Sequence, residues 1–404
     1  MKIRIGNPKE ASFRAIITTR DPTGLSDIHY FLRTMKRVIL STLVWLFVVN
    51  VFGYVALNRF NLAPDTAYMW IKPENFPVPK SSGLVDMHDR WDSYWYLDIV
   101  DHGYYLKTDN TLANVVFFPL YPALIKVLGT ILFGNFVLAG WILSMAFLVA
   151  SCIYLYRFVK EFHPDIDPEL PVILMLIFPT AFFFNVVYTE SIFLFLTIAT
   201  FYYAFRKDFV LASGIAFLGA LTHSNGVFLA LPIIWKLGED IGWKNLAHPK
   251  TWGKLWPVLS APIGSFLFLG YDYLQFGDPL LFFKIQRNWG RAFTINREHF
   301  SLFSHPSITN MGIDIFLAVF IISAVVAVWR KLSPWYAIFM STTLIAAFTS
   351  GTLMSVGRYS LVMFPLFILL AGVKDQTVRA GWMLLSTLFL ALDIILYVNN
   401  YWAG

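Results

Sequence analysis

The chain has 404 residues, of which 57% are hydrophobic and only 14% are charged, and its formal net charge is +6. A soluble domain carries about a quarter charged residues, so this composition excludes an ordinary water-soluble protein. The basic residues are scattered between apolar runs, which argues against a nucleic-acid-binding surface. The single cysteine, Cys152, excludes a disulfide framework.

Apolar runs of membrane-spanning length recur along most of the chain, and about 20 such residues are needed to cross a bilayer as a helix. The sequence therefore predicts an all-α polytopic membrane protein with about eleven transmembrane helices. The short pair 209–222 and 226–236 is predicted as either a hairpin of half-helices or one kinked helix. The predicted spans are 38–57, 136–156, 169–187, 191–205, 209–222, 226–236, 255–274, 310–329, 334–351, 359–373 and 379–398.

The distribution of basic residues predicts the orientation. With the N-terminus inside, the intracellular segments and their flanks hold 20 of the 31 Lys and Arg residues, as the positive-inside rule requires. A cytoplasmic segment 1–37 then precedes one transmembrane domain, 38–404. Two long external loops, at about 58–135 and 275–309, are rich in aromatic residues, which argues against disorder.

The first external loop contains a dense polar and aromatic cluster. Its segment 91–102 is predicted as an amphipathic helix in the outer membrane interface, because Trp91, Trp95 and Ile99 recur at helical spacing. The aromatic face of this helix is expected to contact lipid headgroups. Gly103 is the expected stop of the helix.

Asp92 is the strongest candidate for chemistry in this cluster. A carboxylate beside a lipid-facing cleft can take a proton from an acceptor hydroxyl. The alternative is a capping arrangement, in which Asp89 is the N-cap and Asp92 the acid three residues later. The two interpretations are compatible, since a capped helix start holds its carboxylate rigidly.

Glu190 is predicted at the outer end of two spans. Ionisable groups near membrane depth are functional candidates, and a water-facing turn is the alternative. Upstream, the segment 117–122 has two prolines three residues apart, which predict a bend where the first loop re-enters the bilayer.

The polar stretch 222–226 interrupts an apolar run. It predicts either a cavity lined by His223 and Asn225 or a structural hairpin tip. Arg358, followed by Tyr359, lies at the outer end of a span, where it is either a site residue or a snorkelling anchor.

The second external loop combines cations with polar and aromatic side chains: Lys284, Gln286, Arg287, Trp289 and Arg291. This combination suits a phosphate or pyrophosphate group, and contact with anionic lipid headgroups is the alternative. The predicted topology places all of the polar clusters on the same external face. If each polar cluster had only its own structural role, there would be no reason for all of them to lie on one face.

In these motifs the chain resembles the GPI mannosyltransferase II family and its prokaryotic relatives, which are multi-pass glycosyltransferases of the GT-C class. Each motif alone is weak, and the resemblance rests on their combination and order between about residues 38 and 373. The motifs are Arg90-Trp91-Asp92 through His102-Gly103-Tyr104, the segment 117–122, Phe178-Pro179, the segments 188–191 and 222–226, Gly277-Asp278-Pro279, the segment 286–291 and Gly357-Arg358-Tyr359.

The resemblance implies a GT-C-like fold and an inverting mannosyltransferase that uses polyprenyl- or dolichyl-phosphate mannose. The acceptor would be a lipid-linked or other glycan on the external or luminal face. Asp92 would be the general base, with Asp89 as the second catalytic candidate. The implied substrate-binding residues are Arg90, Trp91, Glu190, His223, Asn225, Gln286, Arg287, Trp289, Arg291, Arg358 and Tyr359. At position 223 the resemblance leads us to expect an arginine, where this chain has histidine.

The expected partners are therefore the lipid-linked donor, the acceptor and membrane lipids, with no metal, cofactor or nucleic acid. The compact length and the absence of a retrieval signal favour a prokaryotic plasma membrane over the endoplasmic reticulum. The main alternative is a transporter or flippase for a lipid-linked sugar, although no internal repeat supports it. A different lipid-linked sugar transferase and a non-catalytic assembly subunit are further alternatives.

Overall fold

The computed structural model describes residues 25–60, 62, 83–106, 113–288, 308–348, 353 and 355–403. Within those ranges the regular secondary structure is helical. The α-helices are α1 (Leu25–Arg59), α2 (Ser93–His102), α3 (Leu120–Ile131), α4 (Phe136–Phe162), α5 (Glu169–Leu176), α6 (Glu190–Phe205), α7 (Phe209–Ala220), α8 (Ala230–Ile241), α9 (Trp256–Phe276), α10 (Leu281–Asn288), α11 (Ile308–Lys331), α12 (Pro334–Phe348), α13 (Val356–Ser360), α14 (Pro365–Ala371) and α15 (Gln376–Val398).

Four of the described helices are long and apolar enough to cross a membrane: α1 from Met35 onward, α4, α11 from Gly312 onward, and α15. Large apolar side chains on these helices point away from the protein interior, for example Phe47, which is 70% exposed, and Leu388, which is 61% exposed. Extended apolar faces of this kind are stable in lipid and costly in water. The chain is therefore compatible with a membrane-embedded protein.

Two of the predicted continuous spans are broken, so those two predictions are wrong in this respect. The run 169–187 contains only the short helix α5, and a 3-10 helix, Ala181–Asn185, follows Pro179. The run 359–373 is divided between α13 and α14, with the break just before Pro365. Proline disfavours helical backbone at the preceding residue and lacks the N–H that a continuous helix needs.

The pair 209–222 and 226–236 forms a hairpin, which decides between the two predicted alternatives. A Cβ atom on Gly226 would lie 2.3 Å from the carbonyl oxygen of Gly219 and 2.4 Å from Cα of Ala220. In a continuous helix, residues seven apart are separated by about 10 Å along the axis. The chain therefore turns back on itself at this point, and only a residue without a side chain fits against α7.

The first predicted external loop contains two helices, α2 and the apolar α3. The predicted helix at 91–102 is confirmed from Ser93 onward as α2, with Trp91 before it at a left-handed φ of 55°. The predicted aromatic face does not face lipid headgroups. Trp95 is fully buried, and Trp91 and Ile99 are each 8% exposed. This face packs into the protein because the ring of Trp95 stacks on Phe117, with centroids 6.1 Å apart, and Trp91 meets the C-terminal segment.

A group of side-chain contacts lies near the C-terminal end of α6, where Phe205 contacts Trp235 and Trp235 stacks on Trp335. In this group, Lys207 pairs with Asp240 at 2.6 Å, and the rings of Trp243 and Trp335 stack at 5.3 Å. Helix α6 has 16 residues and is therefore about 24 Å long. Its first residue, Glu190, therefore lies about that far from Arg206, which follows the last residue of the helix.

Candidate functional site

An ion-pair cluster joins three of the predicted site residues. Arg358 Nη1 lies 2.7 Å from Asp92 Oδ2, and Arg358 Nε lies 3.4 Å from Glu190 Oε1. The side chains of Arg358 and Glu190 are 6% and 9% exposed, whereas that of Asp92 is 14% exposed. Asp92 is therefore the member of the cluster that is most accessible to a reactant.

The backbone around Arg358 is shaped to hold this side chain. Ser355 has a left-handed φ of 67°, and the hydroxyl of Thr180 donates to the carbonyl of Gly357 at 2.9 Å. A Cβ atom on Gly357 would lie 2.7 Å from Leu317 Cδ1 and 2.9 Å from Thr180 Cγ2, so the close approach requires glycine here. The snorkelling interpretation of Arg358 is wrong, because this residue is buried and paired.

Aromatic rings surround the guanidinium group of Arg358. Its central carbon lies 5.3 Å from the ring centroid of Tyr188, 5.4 Å from that of Tyr359 and 5.7 Å from that of Phe183. Cation–π contacts of this kind strengthen when the site excludes water. The rings therefore contribute to fixing the orientation of the arginine between its two carboxylates.

Asp92 lies immediately before α2, but its side chain makes no capping hydrogen bond. Its backbone N–H instead donates to the hydroxyl of Tyr188 at 3.0 Å. The capping interpretation, with Asp89 as the N-cap, is therefore wrong for this helix. The carboxylate of Asp92 points to Arg358 because an opposite charge in a buried site outweighs a local bond to backbone N–H groups.

Glu190 is the first residue of α6 and is buried, so the prediction of a water-facing turn residue is wrong. A carboxylate is favourable at a helix N-terminus because the helix dipole is positive there. Its Oε2 atom is buried and has no hydrogen-bond partner among the described residues. The pairing with Arg358 through Oε1 compensates part of the cost of burying this charge.

The side chains of Arg90 and Trp91 donate hydrogen bonds to backbone carbonyl groups. Arg90 Nη1 donates to the carbonyls of Asp86 and Asp89 at 2.6 and 2.9 Å. Trp91 Nε1 donates to the carbonyl of Tyr401 at 3.0 Å. These bonds fix the loop that carries Asp92, and the predicted contact of Arg90 and Trp91 with substrate stays a prediction.

Asp89 is partly buried and precedes Arg90 in the chain. Among the described residues, Arg358 forms its ion pairs with Asp92 and Glu190 and not with Asp89. Burial raises the pKa of its carboxyl group to about 6; the charge of Asp86 acts in the same direction, and that of Arg90 opposes it. Asp89 thus retains a proton at mildly acidic pH, when an ordinary aspartate is ionised.

The sequence analysis missed a buried polar network behind this loop. His88 Nε2 lies 2.7 Å from Asn50 Oδ1, and Asn50 and Asn185 exchange hydrogen bonds of 3.0 and 3.2 Å. Burial lowers the pKa of His88 to about 3, so its ring is neutral. The ring also stacks on Trp141 at 4.2 Å. Asn50 within an apolar run was the available signal.

The hairpin at 222–226 approaches the ion-pair cluster. The ring of His223 stacks on Phe193 at 4.9 Å and meets Tyr359 edge-on at 6.1 Å. The backbone N–H of Asn225 donates to His223 Nδ1 at 3.1 Å, and the Asn225 residue is buried. Tyr359 therefore lies between His223 and Arg358, since its ring is within contact distance of both side chains.

The second predicted external loop is only partly described. Helix α10 carries Gln286 and the exposed Arg287, and it packs through Ile285 into a small apolar cluster. Among the described residues, no hydrogen bond or ion pair joins Arg287 to the cluster around Arg358. Trp289 and Arg291 lie outside the described residues. That Arg287, Arg291 and Arg358 bind the substrate together, as the resemblance implies, therefore stays a prediction.

Comparison with known proteins adds no assignment, because neither a family model nor a curated protein sequence matches this chain. Within the described ranges, no group of three or more His, Cys, Asp and Glu side chains is arranged to hold a metal ion. The charged side chains that meet at the candidate site are those of Asp92, Glu190 and Arg358. A carboxylate with one oxygen held by arginine can accept a proton or a hydrogen bond at its other oxygen.

Proposed function

We propose that this protein is an inverting mannosyltransferase of the membrane, with a GT-C-like fold and about eleven spans. Its donor is a polyprenyl- or dolichyl-phosphate mannose, and its acceptor is a lipid-linked or other glycan. The observation that carries this proposal is the placement of Asp92 and Glu190 on either side of Arg358. The motif resemblance described above supplies the sugar and the donor.

Asp92 acts as the general base in this proposal. Its Oδ2 atom is held by Arg358, and among the described residues no hydrogen bond engages Oδ1. The Oδ1 atom takes the proton of an acceptor hydroxyl while the hydroxyl oxygen forms a bond to the anomeric carbon. The bond from that carbon to the phosphate oxygen breaks on the opposite face, and the lipid phosphate leaves with the electron pair. Attack opposite to the leaving group inverts the anomeric configuration.

The remaining residues bind and orient the substrates in this proposal. Arg287 and Arg291 are the proposed partners of the donor phosphate, because external arginines can stabilise the charge that develops on the leaving group. Arg358 fixes the base, and Glu190 holds Arg358 from the other side. The site faces the external or luminal side, and we place the protein in a prokaryotic plasma membrane.

The direct test is transfer of labelled mannose from synthetic polyprenyl-phosphate mannose by the purified protein in lipid nanodiscs. A membrane lipid extract supplies candidate acceptors, and released polyprenyl phosphate is measured together with the labelled product. We expect both products to form in equal amounts. The proposal is refuted if proteoliposomes move the donor across the bilayer at a protein-dependent rate while no sugar is transferred, because that result identifies a flippase.

A further inference from the structure

A second pair of acidic side chains lines a cavity outside the ion-pair cluster. Asp314 extends from α11 and Asp393 from α15, and the cavity between them also touches Thr180 and Gly357. Its volume is about 40 Å³. Gly357 precedes Arg358 directly, so the cavity lies immediately behind the backbone that positions the candidate site.

Asp393 is the more informative of the two residues. It is 6% exposed, and neither of its carboxylate oxygens has a hydrogen-bond partner among the described residues. Burial of a carboxyl group without a partner is costly, and such groups in native proteins generally have a reason to be there. Because Asp393 lines the cavity, a ligand with hydrogen-bond donors placed there can satisfy both oxygens.

The cavity walls limit the kind of ligand. Apart from the acidic residues they are mainly apolar and aromatic, including Phe389 and Trp402. Divalent cations such as Mg²⁺ and Ca²⁺ need about six or more oxygen ligands, part of which waters usually supply. The side-chain oxygens of this lining are those of Thr180, Asp314 and Asp393, and a volume of about 40 Å³ has no room for a cation together with the waters that would complete its shell. A primary ammonium group has three N–H donors for carboxylates and is also attracted to aromatic faces.

The volume sets the size of the group. One water needs about 10–15 Å³ of cavity volume, so 40 Å³ admits an ammonium group with its adjoining methylene. A sugar ring does not fit. A trimethylammonium group is larger than an ammonium group and has no N–H donor for the two carboxylates.

We propose that this cavity binds the primary ammonium group of an amine-bearing phospholipid headgroup through Asp314 and Asp393. A lipid is the natural source because α11 and α15, the helices that carry Asp314 and Asp393, also present exposed apolar side chains, including Val319 at 59% and Leu388 at 61% exposure. Lipid chains therefore lie against the same two helices. This inference does not depend on the proposed sugar transfer.

The test is retention of lipid by the purified wild-type protein, measured by native mass spectrometry. Phosphatidylethanolamine, its N,N-dimethyl derivative, phosphatidylcholine and phosphatidylglycerol of equal chain length are offered in equal amounts. We expect phosphatidylethanolamine to be retained about tenfold more than phosphatidylcholine, since a charge-assisted hydrogen bond contributes that factor or more. Retention should fall stepwise as N–H donors are removed. Equal retention of the four lipids overturns the proposal.

Two variants locate the binding. Asp393→Asn should lower phosphatidylethanolamine retention to the level of phosphatidylcholine. Asp272→Asn is the matched control, because Asp272 is also buried at 1% exposure and its oxygens also lack described partners, but it is outside the cavity lining. An equal loss in both variants overturns the assignment of binding to this cavity. The wild-type lipid series remains decisive if Asp393→Asn does not fold.

Discussion

Arg358 Nη1 donates a hydrogen bond of 2.7 Å to Asp92 Oδ2, although 266 positions separate the two residues in the chain. The bond connects the middle of the short helix α13 to the residue directly before α2. Both side chains are largely buried, so the pair is shielded from the screening that weakens surface ion pairs. This contact links the orientation of the proposed base to the stability of the fold.

Asp92→Asn should abolish most sugar transfer while leaving donor binding intact. Asparagine has nearly the same shape, but its amide cannot act as a base. We expect the transfer rate to fall by about two to four orders of magnitude, the usual contribution of a positioned base. The measurement is labelled mannose transfer, with donor affinity determined separately.

Asp89→Asn is the control for that experiment. Asp89 is not paired with Arg358 among the described contacts, so the variant should keep most of its activity. If Asp89→Asn is inactive yet binds donor, and Asp92→Asn is near normal, the base is Asp89. Near-normal turnover in both variants removes this loop from the chemistry.

Arg358→Ala should destabilise the protein by about 3–5 kcal/mol, because it leaves Asp92 and Glu190 without their buried counter-charge. The measurement is thermal or denaturant unfolding in detergent. Combining Arg358→Ala with Glu190→Gln should recover part of the loss, since one of the two uncompensated charges is then removed. An Arg358→Ala protein as stable as the wild type contradicts the buried ion-pair cluster.

Asp89 should make stability depend on pH in a defined direction. Its pKa is raised to about 6 in the folded protein by burial, and an unfolded chain has the ordinary aspartate value of about 4. The folded state therefore binds more protons between about pH 4 and 6, so this group lowers stability as pH rises through that window. The unfolding midpoint temperature of the wild type, measured relative to that of Asp89→Asn, should therefore rise when pH is lowered from about 7 to about 4. A constant difference between the two proteins excludes the shift.

Gly226→Ala should be strongly destabilising because the new Cβ atom would meet backbone atoms of Gly219 and Ala220 at 2.3–2.6 Å. Backbone cannot move aside as a flexible side chain does, so we expect a loss of about 1–3 kcal/mol or more. Gly214→Ala in α7 is the matched control, since no atom lies within 4 Å of its Cβ position. That change should stabilise the protein by up to about 1 kcal/mol through helix propensity. Similar unfolding midpoints for both variants contradict the tight hairpin.

The proposed topology is tested by labelling single cysteines in a variant that lacks Cys152. Leu84→Cys lies in the first predicted external loop and is 42% exposed. Lys250→Cys lies on the side of the protein that is proposed to face the cytoplasm, and Lys250 is exposed as well. An impermeant reagent should label position 84 in intact cells and position 250 only after permeabilisation. The reverse pattern inverts the proposed orientation.

The sequence by itself indicated many of the helices, but it did not show the breaks near Pro179 and Pro365 or the helix α3 within the first predicted external loop. Apolar runs, helical spacing and proline or glycine punctuation are local signals, and they located α2, α6 and the turn at Gly226. They also selected Asp92, Glu190 and Arg358 as candidates. Local signals fixed these positions because each depends on only a few neighbouring residues.

Only the tertiary structure decided which partners these residues meet. An apolar face can pack against lipid or against protein, and both surroundings are apolar, so periodicity did not show that Trp95 is buried inside the protein. The capping interpretation assigned Asp92 a partner in the nearby backbone, and the snorkelling interpretation placed Arg358 at the membrane surface. The structure replaced them with one contact across 266 positions, because the burial of two opposite charges favours their pairing however far apart they lie in the chain.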